Sequence, residues 1–545
     1  MTVMDDPLHQ PGGPTTYWTT VNAEENLAGV VTPLSSSFWI RPTTVGTLGA
    51  FCELGVLPES AARHSSNSDE RIATVIYGRL VANIDLLRKL ADRTPFTSGD
   101  ALEQQLFSNV RAGMPSRASK RRYPIVAVKA PVAAATVIPF INEMFEDSQQ
   151  WWRTSIDALE TSTADDARRR MLEAQDRMVG YMRPHTLGTF LTQAAFEQLK
   201  KLCVRAGSPG LELRIARGLR SLEEAEMVSM LWEVSRGNAD VEAFLRRYGF
   251  HGPNESSASS PVWRESQQIL EDILRSYRTM SEDRSPKVKA RRIAEDRIEA
   301  VKELLAGLSL PRRVFARAVL TATSAFFPLR ETGKATLLHA VDVCRASARV
   351  IAEDMVARGE LDDVSDVAYL TVEELVNDRV ADWKSITAKR RAQRDEYLKV
   401  DLPQTWEGVP EVQVLAELKH DDGVTEITGL GASHGVVEGT VRVVHDPSEA
   451  DLDDGEILVC DTSDPSWSAL FLVAGAVVVD VGGPLSHGAI VARELGIPAV
   501  INTRNALRVL KDGDYVSVDG TAGVVKVLKR TADTRVTSDK TPPVS

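Results

Sequence analysis

VVVDVGGPLSHGAIVARELGIPAVIN, residues 477–502, is the stretch from which the rest of the chain can be ordered. A strand runs into Gly482-Gly483-Pro484 as a tight loop, Ser486 stands as a helix N-cap, and His487 opens the helix. Gly496 followed by Pro498 closes it. A helix N-terminus presents unpaired N–H groups and partial positive charge, which favour a phosphate. The paired glycines let backbone approach a ligand closely. An imidazole placed there has a nucleophilic nitrogen that can be phosphorylated, and the same helix end disfavours its protonation and keeps it neutral. The bland alternative is that Ser486-His487 merely caps a helix; the spacing of the whole string separates the two readings.

Outward from this helix the period of the pattern is two. Val437, Gly439, Val441 and Val443 alternate with other residues. Short apolar runs follow at 456–460, 476–480, 515–519 and 524–528, bounded by Asp-Gly turns at 454–455, 512–513 and 519–520. Residues 428–530 therefore read as a compact β-rich α/β domain with one helix at about 487–495. The preceding 401–427, with Pro403, Gly408, Pro410 and Gly423, reads as a linker or hinge, with or without one strand, and 531–545 as a disordered tail.

Upstream, 17–400 is dominated by helical spacing. Val341, Cys344, Ala348, Ile351 and Met355 make one apolar stripe ahead of Gly359. Met171, Ala174, Met178 and Met182 make another, in a stretch expected to end near Pro184. Residues 1–16 read as a flexible N-terminus. The expected architecture is multidomain: a large, mostly α-helical domain followed by a small swivelling β/β/α domain.

The 545 residues are 43% hydrophobic and 26% charged, an ordinary globular composition, and their net charge of −12 argues against a nucleic-acid footprint. Cys52, Cys203, Cys344 and Cys460 lie far apart with no CxxC pair, which fits reduced thiols. Apolar runs break at Lys129 and Asp480, short of the ~18 residues of a membrane span. The opening MTVMDDPLHQ lacks the order of a secretory signal. A cytoplasmic protein with no membrane and no nucleic-acid partner is expected.

The 482–500 string resembles the phosphohistidine signature of the PEP-utilising enzymes, among them phosphoenolpyruvate synthase, pyruvate phosphate dikinase and rifampin phosphotransferase. The resemblance implies that His487 is the phosphocarrier, with Gly482, Gly483, Ser486 and Gly488 in the loop around the phosphate. GLGASHGVVEGTVRVV (429–444) and DTSDPSW (461–467) are similar to the same mobile domain, with His434 and His445 left as structural. Only 58 residues follow His487, so the pyruvate-binding barrel of the synthase and dikinase, ~250 residues long, is not expected.

The helical half resembles the acceptor-binding domain of the rifampin phosphotransferase type at 18–39, 248–266, 330–331 and 359–375. His251 and Glu255 are candidates for an acid–base pair toward a hydroxyl acceptor, against a loop network. Arg330 and Glu331 are candidates for holding the phosphoryl group and orienting the acceptor, against an interhelical salt bridge. Trp18, Phe38, Trp39, Trp151 and Trp152 fit either an apolar acceptor pocket or plain core.

The relatives carry an ATP-grasp domain by resemblance; none precedes Trp18, and no GxxxxGK[ST] occurs. The arrangement resembles the split phenylphosphate synthase. It implies no cofactor or metal on this chain, with ATP and Mg²⁺ on a separate ATP-grasp partner. The expected function is a dikinase-type phosphotransferase component that passes a phosphoryl group to a small hydroxyl acceptor, aromatic or apolar alcohols among them. The alternative is a regulatory or scaffold protein with a phosphorylatable histidine.

Overall fold

A computed structural model describes residues 6–21, 23, 27–95, 97–107, 110–219, 222–377, 382–415, 423–445, 452–461, 467–483 and 486–531. The expected tail from 532 onward lies outside the described residues. A large helical region precedes a smaller C-terminal domain built on a sheet.

Three long helices, Tyr123–Leu159, Ala164–Arg205 and Leu310–Ala357, pack with Pro33–Glu53 to form the helical core. Both apolar stripes lie in it: Met171, Ala174 and Met178 on one helix, and Val341, Cys344, Ala348, Ile351 and Met355 on another, are all buried. Thr163 and Asp166 form a capping box that starts the first of these two helices. That helix does not stop near Pro184. It continues to Arg205, and Pro42, Pro131, Pro139 and Pro328 also sit inside helices. A proline inside a helix forfeits one backbone bond. Here Pro184 is itself buried beside buried Leu187 and Gly188, and packing outweighs the missing bond.

Two expected boundaries are corrected. The segment before Tyr17 is docked: Leu8 is buried, Gln10 N donates to Val75 O at 2.7 Å, and the Tyr397 hydroxyl bonds Asp6. The first part of 401–427 is structure too. Thr405–Glu407 pairs antiparallel with Tyr17–Thr19, setting Trp406 opposite Trp18 in a four-stranded sheet with Ala73–Ile76 and Arg79–Asn83. Trp18, Ile76, Val81, Leu402 and Trp406 form its apolar cluster. A single buried Leu and a single buried Trp anchor segments whose Pro, Gly and polar content reads as loose. Residues 416–422 of the expected linker lie outside the described residues.

The C-terminal sheet has eight strands, in the order Glu426–Thr428, Val524–Lys529, Tyr515–Asp519, Val436–Val443, Ile457–Cys460, Ala476–Val479, Ala499–Ile501 and Leu430–Ser433. Its middle is parallel, from Val436–Val443 through Ala499–Ile501. Strands Ile457–Cys460 and Ala476–Val479 are wholly buried, hence their unbroken apolar runs. Two short helices, Ser468–Val473 and Ala506–Val509, accompany the expected His487–Leu495. The run SALFLV is too short and too apolar for periodicity to tell helix from strand.

This domain is docked on the helical region. One apolar cluster runs without a break from Val228, Trp232, Tyr248 and Trp263 to Phe471 and Leu495. Arg217 Nη2 donates to His434 O at 3.0 Å, and the Arg493 guanidinium lies 5.7 Å from the Phe196 ring.

Candidate active site

At the start of the His487–Leu495 helix, Ser486 is the N-cap in extended conformation (φ −63°, ψ 159°), and its Oγ accepts from Ala489 N at 3.3 Å. Gly482 sits close beneath the cap: a Cβ there would stand 3.0 Å from Ser486 Oγ and 3.3 Å from its Cβ, so a larger residue would press on the Ser486 side chain. Ser486 N donates to Gly483 O at 2.9 Å, which folds the loop back on the cap. Gly488 is buried in the first turn, and Gly496, left-handed at φ 68°, ends the helix. Pro484 and Leu485 lie outside the described residues; for His487 the structure describes its backbone position as the first helical residue. Behind the loop, Asp480 accepts from Ala506 N (2.6 Å), Leu507 N (3.0 Å) and Thr503 Oγ1 (2.6 Å), fixing the strand end from which the loop departs.

A second cluster forms where the loop after Val241–Tyr248 crosses the Leu310–Ala357 helix. The loop is clamped from several sides. Trp39 Nε1 donates to Ser256 O at 2.7 Å, while Arg345 Nη2 donates to the carbonyls of Glu255 (2.9 Å) and Ser257 (2.7 Å). Arg264 pairs with Asp342 at 2.8 Å, and Asp342 also accepts from Trp152 Nε1 at 2.8 Å. Against the upward pull of burial, Arg264 and Arg345 hold the Asp342 carboxyl down to about 2.

Within that frame His251 Nδ1 and Glu255 Oε2 are 2.7 Å apart, both side chains buried. Glu255 Oε1 lies 4.0 Å from Lys334 Nζ. Lys334 sits one helical turn beyond Arg330, so both cations share a face. Arg330 Nε and Glu331 Oε1, neighbours on one helix, are 3.9 Å apart. His185, from the Ala164–Arg205 helix, fills the space over Gly333, where a Cβ would stand 2.8 Å from its Nδ1. Burial and then the charge of Arg330 push the His185 imidazole down to about 4, so it is neutral near pH 7. His339 stacks on Trp152 (5.5 Å, 18°), and burial followed by the His251 charge pushes it to about 3.

The structure thus brings His251 and Glu255 together, with Arg330 and Glu331 one turn along from Lys334, while the His487 loop belongs to the other domain. Trp263 spans the two: its ring lies 5.6 Å from His251, and it belongs to the apolar cluster on which the C-terminal domain docks. Trp18, Phe38, Trp39, Trp151 and Trp152 are buried core, not the walls of an open pocket. Lys334 is the residue that sequence reasoning missed. The available signal was its i, i+4 spacing from Arg330 in RETGK. Chemically, a His–Glu pair beside a lysine can take a proton from a hydroxyl group, and the two cations can face an anion.

Residues 452–523 match the PEP-utilising enzyme mobile domain, and residues 235–331 match the rifampicin phosphotransferase fourth domain. Among curated relatives, the rifampicin phosphotransferase of Bacillus cereus is 31% identical over 53% of this chain and 34% of its own length. That of a Streptomyces species is 35% identical over 53% and 34%, and that of Bacillus subtilis 32% identical over 52% and 34%. The matched region spans about a third of the length of these relatives. The solution structure of an Enzyme I protein aligns with 56% of this chain and 78% of its own at 17% identity, with a TM-score of 0.16, too slight a likeness to build on. The loop that presents His487 lies in the first match, and the His251–Glu255 pair and Arg330–Glu331 lie in the second. The chain thus carries a PEP-utilising enzyme mobile domain at 452–523 and, within its helical region, a segment at 235–331 that matches the rifampicin phosphotransferase fourth domain.

Proposed function

We propose that this chain is the carrier-and-acceptor part of a dikinase-type phosphotransferase. The observation that carries the reading is the position of His487, first in a helix capped by Ser486, where the N-terminus of a helix favours a phosphate. His487 receives a phosphoryl group derived from ATP on a separate ATP-grasp polypeptide, where Mg²⁺ shields the phosphates. The C-terminal domain leaves its docked position and returns to deliver the group to a hydroxyl compound held by the helical region. In the transfer the P–N bond to His487 breaks and a P–O bond to the acceptor forms. The acceptor proton passes to the His251–Glu255 pair, and Lys334 with Arg330 balances the charge of the moving phosphoryl group. The product is a phosphate monoester. Small aromatic or apolar alcohols are the acceptor class that this reading favours.

Set against a purely regulatory phosphohistidine, the buried His251–Glu255 pair with partly exposed Lys334 beside it is the feature that supports a second chemical station. The test is a chase. The chain is charged with labelled phosphate, purified from the partner and mixed with a panel of alcohols. Label moving to an alcohol in wild type but retained on the chain in Glu255→Gln and Lys334→Met is expected. Label lost only to water, at the same rate in all three proteins, contradicts the reading.

A further inference from the structure

The helical segment Lys120–Leu159 is the one described segment long and apolar enough to cross a membrane by length and composition, with a mean hydropathy of 1.8 in its most apolar window. Only 22% of that window is buried. Between Tyr123 and Ile141 the sole charged residue is Lys129. Lys129, exposed between Ile125 and Val132 on the same side of the helix, reaches the edge of the stripe, where its Nζ stands 3.4 Å from Cys52 O and 3.6 Å from Glu59. The inner face packs on the protein through Val126, Ala133, Val137 and Ile141. The outer face is also apolar: Ile125 is 41% exposed, Val128 70%, Val132 60% and Phe140 55%. Single exposed apolar side chains are ordinary, but a stripe running ~24 Å along one helix marks a contact surface.

The charge around the stripe selects its partner. Arg117, Lys120 and Arg121 are exposed at the N-terminal end of the helix, and Lys89 and Arg93 are exposed beside them, because Ser119 N donates to Asp92 O and ties the two segments together. The carboxylates within this group are engaged: Asp92 accepts from Gly99 N and Arg117 N, and Asp100 pairs with Arg88. Five exposed cations thus border an apolar stripe on a chain whose net charge is −12.

We propose that the Tyr123–Phe140 face lies on the surface of an anionic lipid bilayer. Apolar side chains enter the headgroup boundary while the basic cluster meets the lipid charge, the pair of signals that peripheral anchoring needs. The helix lies on the bilayer and does not cross it, since its other face is part of the core. The sequence alone led to the expectation of no membrane partner, and the vesicle experiment below tests the two against each other.

The test is co-sedimentation of the full chain with phosphatidylcholine vesicles, with and without phosphatidylserine. Wild type is expected to sediment with the phosphatidylserine vesicles, and less so at high salt. Val128→Glu and Val132→Glu each weaken binding about tenfold or more, the cost of losing one buried valine. Lys120→Glu with Arg121→Glu abolishes the preference for phosphatidylserine. All these positions are exposed, and unchanged melting curves of the variants show that the fold is kept. Absence of wild-type binding, or Val128→Glu binding as wild type does, overturns the proposal. A dimer in ultracentrifugation that Val128→Glu dissociates, without vesicle binding, also overturns it and assigns the face to a second copy.

Discussion

The two chemical clusters of this molecule are built in opposite ways. Around His487 everything that matters is contiguous: Gly482, Ser486 and the first turn of the helix lie within a few residues, held by backbone bonds and one cap. Around His251 the parts come from four places: the loop at 251–264, Trp39, the Ala164–Arg205 helix and the Leu310–Ala357 helix. The first is a local motif that any strand–loop–helix unit of this kind carries. The second exists only when the whole helical region is packed. Damage to the fold should therefore disable the second cluster and spare the first.

The largest expected effect follows from Asp342. It is fully buried and serves Arg264, Arg345 and Trp152 together. Asp342→Ala takes the carboxylate from buried Arg345 and half-buried Arg264 and should cost about 3 kcal/mol of stability by denaturant titration. The C-terminal domain should keep its own signals in the same experiment. A loss under 1 kcal/mol, on the scale of a surface pair, would mean that the helical cluster is less dependent on this network than the geometry indicates.

Next comes pH. His339 is fully buried and held down to about 3, whereas an unfolded histidine titrates near 6.5. Below 6.5 the unfolded chain takes up a proton that the folded imidazole refuses. This contribution to stability is complete above 6.5 and is lost as pH falls toward 3. By pH 4.5 the loss amounts to about 3 kcal/mol. Denaturation midpoints measured between pH 6.5 and 4.5 should fall less steeply in His339→Gln than in wild type. Equal slopes would remove His339 from the account.

The smallest effect belongs to the contiguous cluster. Ser486→Ala removes one cap bond and should cost about 1 kcal/mol. That small loss should coincide with a slower charging of His487, because the cap sets the direction of the N-terminal N–H groups. Unchanged charging would show that the loop holds its shape without the cap.

The same contrast explains what could be read in the sequence. The capped helix with its glycine loop, the Met171–Met178 stripe and the stripe ending at Met355 depend on near neighbours, and they stand where their spacing put them. The end of a helix at Pro184 was misjudged, because burial around that proline comes from helices remote in sequence. The linker from 401 was misjudged for a similar reason: Trp406 pairs with Trp18, nearly four hundred residues away. Lys334 offered only its spacing from Arg330, and it takes the fold to set it 4.0 Å from Glu255. Local chemistry is written in consecutive residues, and a site assembled across helices is not.

The central claim is that His487 bears the phosphoryl group, and mapping the modified residue tests it most directly. The chain is incubated with labelled ATP and an ATP-grasp partner, then digested under alkaline conditions that preserve phosphohistidine. The account predicts one acid-labile phosphate on the peptide containing His487, and none in His487→Ala. Acid-labile phosphate that persists in His487→Ala, or that maps to His251 or His434, would contradict it.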